Sequence, residues 1–367
     1  MEFLSSLFDT AQQWVFEQVF QPLLYNLGLA NYLEDGYTAA GWFLVGCLQI
    51  VIMVLVIAPL QRWRPVEAVT DKHAIRIDML YTLIHRLGLF RLALFFTIDP
   101  LWDWLVGSLR MQGFETWHVD TLWPGVTDVA WVSLLIYLVI FDFVAYWIHR
   151  GQHSFVWWWK LHALHHSQRQ MTMWSDNRNH LLDDVIHDSI LVLVAVLIGV
   201  APSQFVAIVA ITQLSESLQH ANLRLWFGQI GERLWISPRF HRRHHAIGIG
   251  HESPAKALEP NQPLAREQSA QAAIKTGVVA EANTAAPAPV NTPVATAAPR
   301  PRLGGCNFGV LLPWWDMLFG TANFELRYDP TGIRDQVQPN KQGQLRDYGS
   351  GFWSQQWRGV LRLFNRA

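Results

Sequence analysis

Charged side chains are scarce in this chain of 367 residues. Asp, Glu, Lys and Arg together make up 16% of it, whereas apolar residues make up 51%. A soluble domain has about 25% charged residues, so this composition favours a protein built on membrane helices. The formal net charge of -1 offers no basic surface to neutralise phosphates, and nucleic acid is therefore excluded as a partner.

Cysteine is almost absent. Cys47 lies in an apolar run and Cys306 lies far along the chain, which predicts reduced thiols and excludes a disulfide framework. Lys and Arg are missing from the first ten residues, so the N-terminus does not predict a cleaved signal peptide. Residues 1–38 are instead predicted to form an interfacial segment, either an amphipathic helix on the membrane or a soluble helix that contacts a partner.

Three apolar stretches precede the middle of the chain, at about 39–60, 81–104 and 126–148. The first and third are long enough to cross a bilayer. Charged residues interrupt the second, which either spans the membrane or enters it and returns. Arg62 and Arg150 follow the two strong stretches closely, so the positive-inside rule places both ends in the cytoplasm.

A fourth apolar run, at about 184–219, is interrupted by Pro202. Because proline cannot continue a helix, the run predicts two antiparallel helices with their turn on the far side. Their open ends, near His180 and His220, would then face the cytoplasm. The sequence thus predicts an all-α, polytopic membrane helical bundle with a cytoplasmic, histidine-rich helical cap.

Eight of the fifteen histidines fall into three tight groups. Helical spacing places residues i, i+3 and i+4 side by side, so each group directs its imidazoles to one small volume. Imidazole suits iron, zinc, copper and nickel, and without a metal so many ring nitrogens would compete for few acceptors. We interpret the groups as metal ligands: His149 and His153; His162, His165 and His166; and His241, His244 and His245.

Isolated histidines need no such explanation. His73, His85 and His118 have no histidine neighbours at helical spacing and are expected to be solvated or singly hydrogen-bonded. His251 fits either interpretation.

Two further histidines suit the same geometry. His220 ends the second hairpin helix and is a predicted ligand, while His180 is a further candidate, with Asp183 three residues on to orient it. His187 is as easily a buried, hydrogen-bonded residue.

Two acidic residues inside apolar helices also attract interest, because a carboxylate there is costly and faces inward. Glu216 precedes His220 by one helical turn and would ligate a metal or orient an imidazole. Asp142 would accept a ligand's N–H group. Plain helix packing remains open for both.

Together these motifs resemble the fatty acid hydroxylase/sterol desaturase superfamily. The resemblance covers about residues 125–325. It is carried by Asp142, Tyr146, Trp147, His149, Arg150 and His153; His162, His165 and His166; Gln219, His220 and Asn222; His241, His244 and His245; Asn307, Phe308 and Gly309; and Trp315, Asp316, Phe319, Gly320 and Thr321.

This resemblance implies a membrane-bound, non-haem di-iron oxygenase that uses O₂ and external electrons to hydroxylate a C–H bond of a lipid, whether fatty acyl, sterol or related. Zinc can replace the two iron ions in purified protein. Electrons would come from a separate ferredoxin- or cytochrome-type protein with its reductase, since no Gly-rich dinucleotide loop or haem-binding domain is evident. The expected location is a bacterial inner membrane, with the histidines facing the cytoplasm.

The resemblance also divides the chain. The expected parts are an interfacial segment (1–38), N-terminal transmembrane helices (39–124), a catalytic domain (125–325) with a disordered, Ala- and Pro-rich insertion (253–302), and a C-terminal tail (326–367). The residues expected to support the ligands are Asp142, Tyr146, Asp183, Glu216, Asn222 and Asn307.

One departure from the family pattern concerns Glu216, which stands where some members have a further histidine. Either its carboxylate or His180 would fill that place. Two alternatives for the whole protein remain: a lipid desaturase with the same ligands, and a histidine-rich metal transporter. The transporter is disfavoured because transport sites lie near the bilayer midplane. A zinc protease is excluded by the lack of an HExxH motif.

Overall fold

The computed structural model describes residues 2–251, 304–340 and 342–366, so the predicted insertion at 253–302 lies outside the described residues. The described part of the chain is helical and contains no β-strand, only an isolated bridge between Ala246 and Thr331. The all-α prediction is therefore confirmed. Its helices are α1 (Glu2–Val15), α2 (Gln21–Asn26), α3 (Leu33–Ile52), α4 (Ala58–Trp63), α5 (Lys72–Arg86), α6 (Leu89–Thr97), α7 (Asp99–Met111), α8 (Ala130–Ser154), α9 (Val156–His166), α10 (Leu181–Leu197), α11 (Pro202–His220), α12 (Gly228–Leu234), α13 (Pro238–His244), α14 (Trp314–Leu318) and α15 (Phe352–Leu363).

Within the described residues, two helical stretches are long and apolar enough to cross a membrane. Ala30–Trp63 runs through α3, a π-helical turn and α4, and Ala130–Ser154 is α8. The weaker stretch predicted at 81–104 is bent by 52° between α5 and α6, and would be a third span if that pair crosses together. Gly88 makes this bend with a φ of +80°, a left-handed conformation that glycine adopts at little cost.

The predicted break of the fourth apolar run into two helices is confirmed, although neither helix is among the candidate membrane spans of the described residues. Helix α10 ends at Leu197, and α11 begins at Pro202, where the missing N–H costs nothing because the first turn has no partner for it. The hairpin packs against α8 through a cluster that includes Tyr137, Phe141 and Ile208. Burial of these side chains holds the hairpin beside the span that carries the first histidines.

Close packing of α3 on α5 depends on Gly46. A Cβ atom at this position would lie 1.7 Å from the carbonyl oxygen of Arg86, so no larger residue fits without moving a helix. The Arg86 side chain, buried beyond this contact, binds Asp176 at 2.7 Å and the Ser217 hydroxyl at 3.0 Å. A buried guanidinium needs such partners, and these bonds tie α5 to α11 and to the loop between α9 and α10.

Candidate metal centre

The structure brings nine histidines together in two buried groups. One ring nitrogen from each residue can be chosen so that, within each group, these nitrogens all lie within 4.8 Å of one another. The five-histidine group consists of His149, His153, His162, His166 and His244, and the four-histidine group consists of His165, His220, His241 and His245.

Two short helices each contribute to both groups. In α9, His162 and His166 are one turn apart and enter the five-histidine group, while His165 enters the other. Around α13 the arrangement is reversed. His241 and His245 enter the four-histidine group, while His244 enters the five-histidine group. The HxxHH pattern therefore serves two adjacent sites from one helix, because the outer pair and the middle histidine point in different directions.

The spacing of ring nitrogens in the four-histidine group suits a bound metal ion. The Nε2 atom of His220 lies 3.2 Å from the Nε2 atom of His165 and 3.1 Å from the Nε2 atom of His241. The Nε2 atoms of His241 and His245 are also 3.1 Å apart. Two imidazoles bound at right angles to one ion, each at about 2.1 Å, would have nitrogens about 3.0 Å apart. These residues therefore fit a transition metal.

Protein acceptors hold four of the imidazoles by their Nδ1 atoms. The Nδ1–H groups of His149, His220 and His244 each donate to a backbone carbonyl at 2.8 Å, from Phe308, Glu216 and Cys306 respectively. A ring held in this way must present Nε2 to the site, and the fixed tautomer makes it a ready metal ligand. The Nε2 atom of His149 is buried and has no hydrogen-bond partner within the described residues.

His162 is held by a carboxylate instead of a carbonyl. Its Nδ1 lies 3.1 Å from an oxygen of Asp183, which also accepts from Gln152 at 2.9 Å and from the Trp158 indole at 2.7 Å. Asp183 was expected to orient His180. The structure places it on His162, because the first turn of α10 packs beside α9.

Burial keeps the imidazoles of His165, His166, His244 and His245 neutral. It lowers the pKa of His244 to about 3, in spite of the hydrogen bond to Cys306. Burial, together with the neighbouring histidines, lowers the pKa of His165, His166 and His245 well below the usual value. Only the neutral ring can bind a metal, so the site is prepared for one at physiological pH.

Helix α13 is fixed from its outer side. Its three arginines are buried and paired with acidic residues: Arg239 with Glu232, Arg242 with Glu67, and Arg243 with Glu325 and Asp329. The Ser237 side chain caps the helix by accepting from the Phe240 N–H group at 3.1 Å. With one side anchored by ion pairs, the other side directs its histidines into the centre.

Residues beyond the insertion complete the site. Asn307 adopts a φ of +59° between the two residues whose carbonyls accept from His244 and His149. Its amide donates to the Phe240 carbonyl at 2.9 Å and so joins this loop to α13. Asn307 thus supports the ligands through the backbone, because it positions their acceptors. Asn is one of the residues that tolerates this left-handed conformation.

Asp142 holds the same loop and not an imidazole. It accepts from the backbone N–H groups of Leu311 and Leu312, at 2.7 and 3.2 Å, and from the Trp315 indole at 2.9 Å. The expected bond to a ligand N–H is absent, since backbone carbonyls from this loop occupy that position.

Tyr146 and Asn222 stand further from the rings. The Tyr146 hydroxyl bonds to Thr321 at 3.0 Å, and Asn222 bonds to the backbone of Val66 and Glu67. Both residues join segments that surround the histidines, and neither bonds to an imidazole.

His180 is not brought into either group. Its Nδ1 accepts from the Leu182 N–H group and caps α10, while its Nε2 donates to the Gln356 carbonyl at 2.9 Å. Both ring nitrogens are therefore used in joining α10 to α15. His187 also lies outside the groups, 3.1 Å from Asp188, and Glu216 faces a neighbouring cavity without joining the four-histidine group.

Two of the isolated histidines have the simple contacts expected of them: His73 bonds to the Ser350 carbonyl at 2.8 Å, and His118 is more than half exposed. His85 departs from the expectation, because one ring nitrogen bonds to the Tyr81 carbonyl at 2.9 Å and the other to Asp184 at 3.1 Å. His251, by contrast, stacks on Trp159, whose ring also contacts His153 and His166. No spacing in the sequence pointed to Trp159, because a tryptophan among apolar residues carries no signal of its neighbours.

A cavity of about 280 Å³ leads to the histidines between the membrane helices. Members of both groups form one part of its wall, among them His149, His165 and His220. Phe141, Phe205 and Ile208 form an apolar part, while Glu216, Asp188 and Gln213 are among the polar residues. The candidate metal centre is therefore open to a molecule that enters from within the helical bundle.

Comparisons with known proteins agree with this geometry. Residues 134–252 match the family model for fatty acid hydroxylase. The chain is 28% identical over 207 residues to the ornithine lipid hydroxylase OlsE of Rhizobium tropici. That alignment covers 56% of this chain and 60% of the relative, so the chain spans less than two thirds of it. No solved structure matches.

The matched region contains most of α8, all of α9 to α13, and all nine grouped histidines. Both comparisons support the resemblance of this region to the fatty acid hydroxylase/sterol desaturase superfamily.

Proposed function

We propose that this protein is an integral-membrane hydroxylase that inserts one oxygen atom into a C–H bond of a lipid at a pair of iron ions. The observation that carries the proposal is the pair of adjacent histidine groups at the wall of a cavity between membrane helices. The fatty acid hydroxylase match and the lipid hydroxylase relative support the reaction class.

The reaction takes one C–H bond of the lipid, O₂, two electrons and two protons. One oxygen atom enters the bond as a hydroxyl group, and the other leaves as water. Iron, when bound, supplies the redox chemistry that activates O₂. The five-histidine group and the four-histidine group would each hold one ion, and their nitrogen donors suit iron, with zinc as a competitor of higher affinity.

Residues of the chain contribute orientation and the exclusion of water. The carbonyls of Cys306 and Phe308, together with the Asp183 carboxylate, keep three rings in a single tautomer. The apolar wall around Phe141 and Phe205 would receive the hydrocarbon part of a lipid, so that the substrate reaches the metals from the membrane without crossing water.

Electrons would come from a separate ferredoxin- or cytochrome-type protein and its reductase. We place the histidine side in the cytoplasm, where such donors and their reductants are found, and the protein in a bacterial inner membrane. Arg62 and Arg150 near the histidine ends of two spans support this orientation.

Membranes that contain the protein provide the test. Protein purified without chelator should contain close to two metal ions per chain, and loading with Fe²⁺ in the presence of a reductant and O₂ should add the mass of one oxygen atom to a lipid. Loss of two hydrogens would identify a desaturase instead. A protein that is free of transition metal and leaves every lipid unchanged would contradict the proposal.

A further inference from the structure

Helix α15 is amphipathic, but its apolar face points outwards. Gln356 and Arg362 are buried, whereas Trp353, Trp357 and Phe364 are 62–76% exposed. With about 3.6 residues in each turn, positions 353, 357 and 364 lie within about 40° of one another around the helix axis. The three aromatic rings therefore form one exposed stripe along α15.

The buried polar face of α15 is held by bonds to the helices that carry the histidines. The Gln356 side chain accepts from the Leu181 N–H group at 2.8 Å, and its carbonyl accepts from His180 at 2.9 Å, which joins α15 to α10. The Arg362 guanidinium donates to the Lys160 carbonyl at 2.9 Å and joins α15 to α9. The aromatic stripe would have to break these bonds to turn inwards.

Further apolar surface flanks the aromatic stripe. The C-terminal end of α15 contacts α9, where the Lys160 ammonium donates to the Asn365 side chain at 2.7 Å. The N-terminal end contacts α5, where the ring centroids of Phe352 and Tyr81 are 4.7 Å apart. Both neighbouring helices expose large apolar side chains: Phe155, Val156 and Trp157 at the start of α9, and Leu80 and Leu83 on α5.

The position of this surface favours a lipid bilayer as its partner. Helix α9 begins at Val156, two residues after the candidate span α8 ends at Ser154, so the start of α9 lies at one surface of the membrane that α8 crosses. Helix α5 leads into the bent α5–α6 pair, which is apolar enough to be a third span. A helix that packs on both elements lies near the depth at which Trp side chains are enriched.

One edge of the aromatic stripe is polar, as an interfacial helix requires. Ser354 and Arg358 lie about 100° further round the helix than Trp353 and Trp357. Arg358 is partly exposed and pairs with Asp347 at 2.6 Å. A helix in the membrane surface places its apolar face among the acyl chains and its polar face towards the water. The order of residues around α15 fits this arrangement.

We propose that α15 is an interfacial anchor, which lies in the membrane surface with Trp353, Trp357 and Phe364 among the lipid acyl chains and Arg358 towards the water. The anchor sets the depth of the candidate metal centre, because the same helix is bonded to α9 and α10. This role does not depend on the reaction, so it can be refuted without refuting the hydroxylase proposal.

Dyes on single cysteines compare the depth of the two sides of α15. Trp357→Cys and Arg358→Cys are each made in a full-length chain without Cys47 and Cys306, labelled, and reconstituted in phosphatidylcholine vesicles. Lipids with a nitroxide on the acyl chain should quench position 357 at least about threefold more than position 358, because the apolar face lies about 5–10 Å deeper than the headgroup surface. Aqueous iodide should show the reverse order. The two positions are matched, since they are adjacent in sequence and differ in the side of the helix.

A double variant, Trp353→Gln with Trp357→Gln, gives the second measurement. It removes two rings but leaves the bonds of Gln356 and Arg362, so the metal content should stay unchanged. A dye at Phe364→Cys should then be quenched by nitroxide lipids at least about threefold less, because the apolar contact that holds the helix in the membrane is weakened. Trp63→Gln, at the end of α4, removes an equally exposed ring and should leave this quenching unchanged.

Several results would overturn the proposal. Equal quenching of positions 357 and 358 by each agent would show that α15 does not lie in the membrane surface. Protection of position 357 from both agents would show that protein covers the stripe. Cross-linking between chains would then identify a second copy as the cover, whereas access restored by deletion of residues 254–300 would identify that segment. Unchanged quenching at position 364 in the double variant would show that the two tryptophans do not anchor the helix.

Discussion

His165 and His166 are neighbours in sequence but belong to different histidine groups. The Nε2 of His165 lies 3.2 Å from that of His220, whereas the Nε2 of His166 lies 3.1 Å from that of His244. The two groups nevertheless touch, because the rings of His166 and His245 stack with centroids 4.3 Å apart. Two ions bound here would share a single wall of imidazoles and could act on the same O₂ molecule.

Replacing His165 and His118 in turn distinguishes a metal ligand from a histidine that binds no metal. His165→Ala removes one of the four imidazole nitrogens of the four-histidine group, so the metal content should fall towards one ion per chain. Product formation should fall at least about 100-fold, because loss of a ligand should cost more than loss of a residue that only supports one. His118→Ala is the matched control, since its side chain is more than half exposed. It should change stability by less than about 0.5 kcal/mol.

Both variants are measured in membranes, with protein level checked by immunoblot and metal by elemental analysis. Full activity of His165→Ala at normal abundance would contradict the ligand assignment.

Asp183 and His180 make a second pair of variants. Asp183→Asn keeps the shape of the side chain but weakens the bond that orients His162, so metal affinity should fall about 10–100-fold. His180→Gln should lower the thermal midpoint, because it disturbs a helix cap and a bond to α15, but should leave the metal content unchanged. Competition with a chelator measures the affinity. If metal were lost only from His180→Gln, then His180 would be a metal ligand, as the sequence analysis considered.

Removal of the metal should make the protein sensitive to acid. The pKa of His244 is about 3 in the folded protein and near 6.5 when unfolded, so between these values the unfolded chain binds more protons. The stabilising contribution is complete above about pH 6.5 and is lost as the pH falls towards 3. His165, His166, His241 and His245 act in the same direction.

Thermal unfolding of chelator-treated protein should therefore show a midpoint that falls steadily from pH 7 to pH 4. The metal-loaded protein should hold its midpoint over more of this range, because bound metal stabilises the neutral rings until protons displace it. A flat profile for the stripped protein would refute the prediction.

Membrane orientation can be tested with single cysteines. Leu345 lies on the histidine side and is 55% exposed, while Met111, at the end of α7, is 84% exposed. In a chain that lacks Cys47 and Cys306, Leu345→Cys should react with a membrane-impermeant thiol reagent only from the cytoplasmic side. Reaction from the periplasmic side would invert the proposed topology. Met111→Cys provides a labelling control at a site remote from the histidines.

The helices and the histidine groups were accessible from the sequence because both depend on local spacing. Apolar runs of spanning length and the proline at position 202 fix where α8, α10 and α11 lie. In the same way, histidines at i, i+3 and i+4 converge wherever a helix forms. Such features need no knowledge of distant parts of the chain.

The partners of the rings were not accessible, because they are set by contacts between distant segments. His149 and Phe308 are 159 positions apart, and the acceptor is a backbone carbonyl, which every residue possesses. Asp142 was expected near an imidazole and binds the loop at 311–315 instead. Asp183 reaches His162 and not His180, since helix packing decides which of two plausible neighbours is closer.

The bonds from His149 and His244 to the loop at 306–308 also have a consequence for biosynthesis. All nine grouped histidines have been translated once residue 245 is complete, but the carbonyls that fix these two rings are made about sixty residues later. Until then the nascent chain holds its ligands without the acceptors that select their tautomers. Because the ribosome adds residues in order, stable metal binding must wait for the last part of the chain. A chain truncated before residue 306 would have every histidine ligand but a poorly formed site.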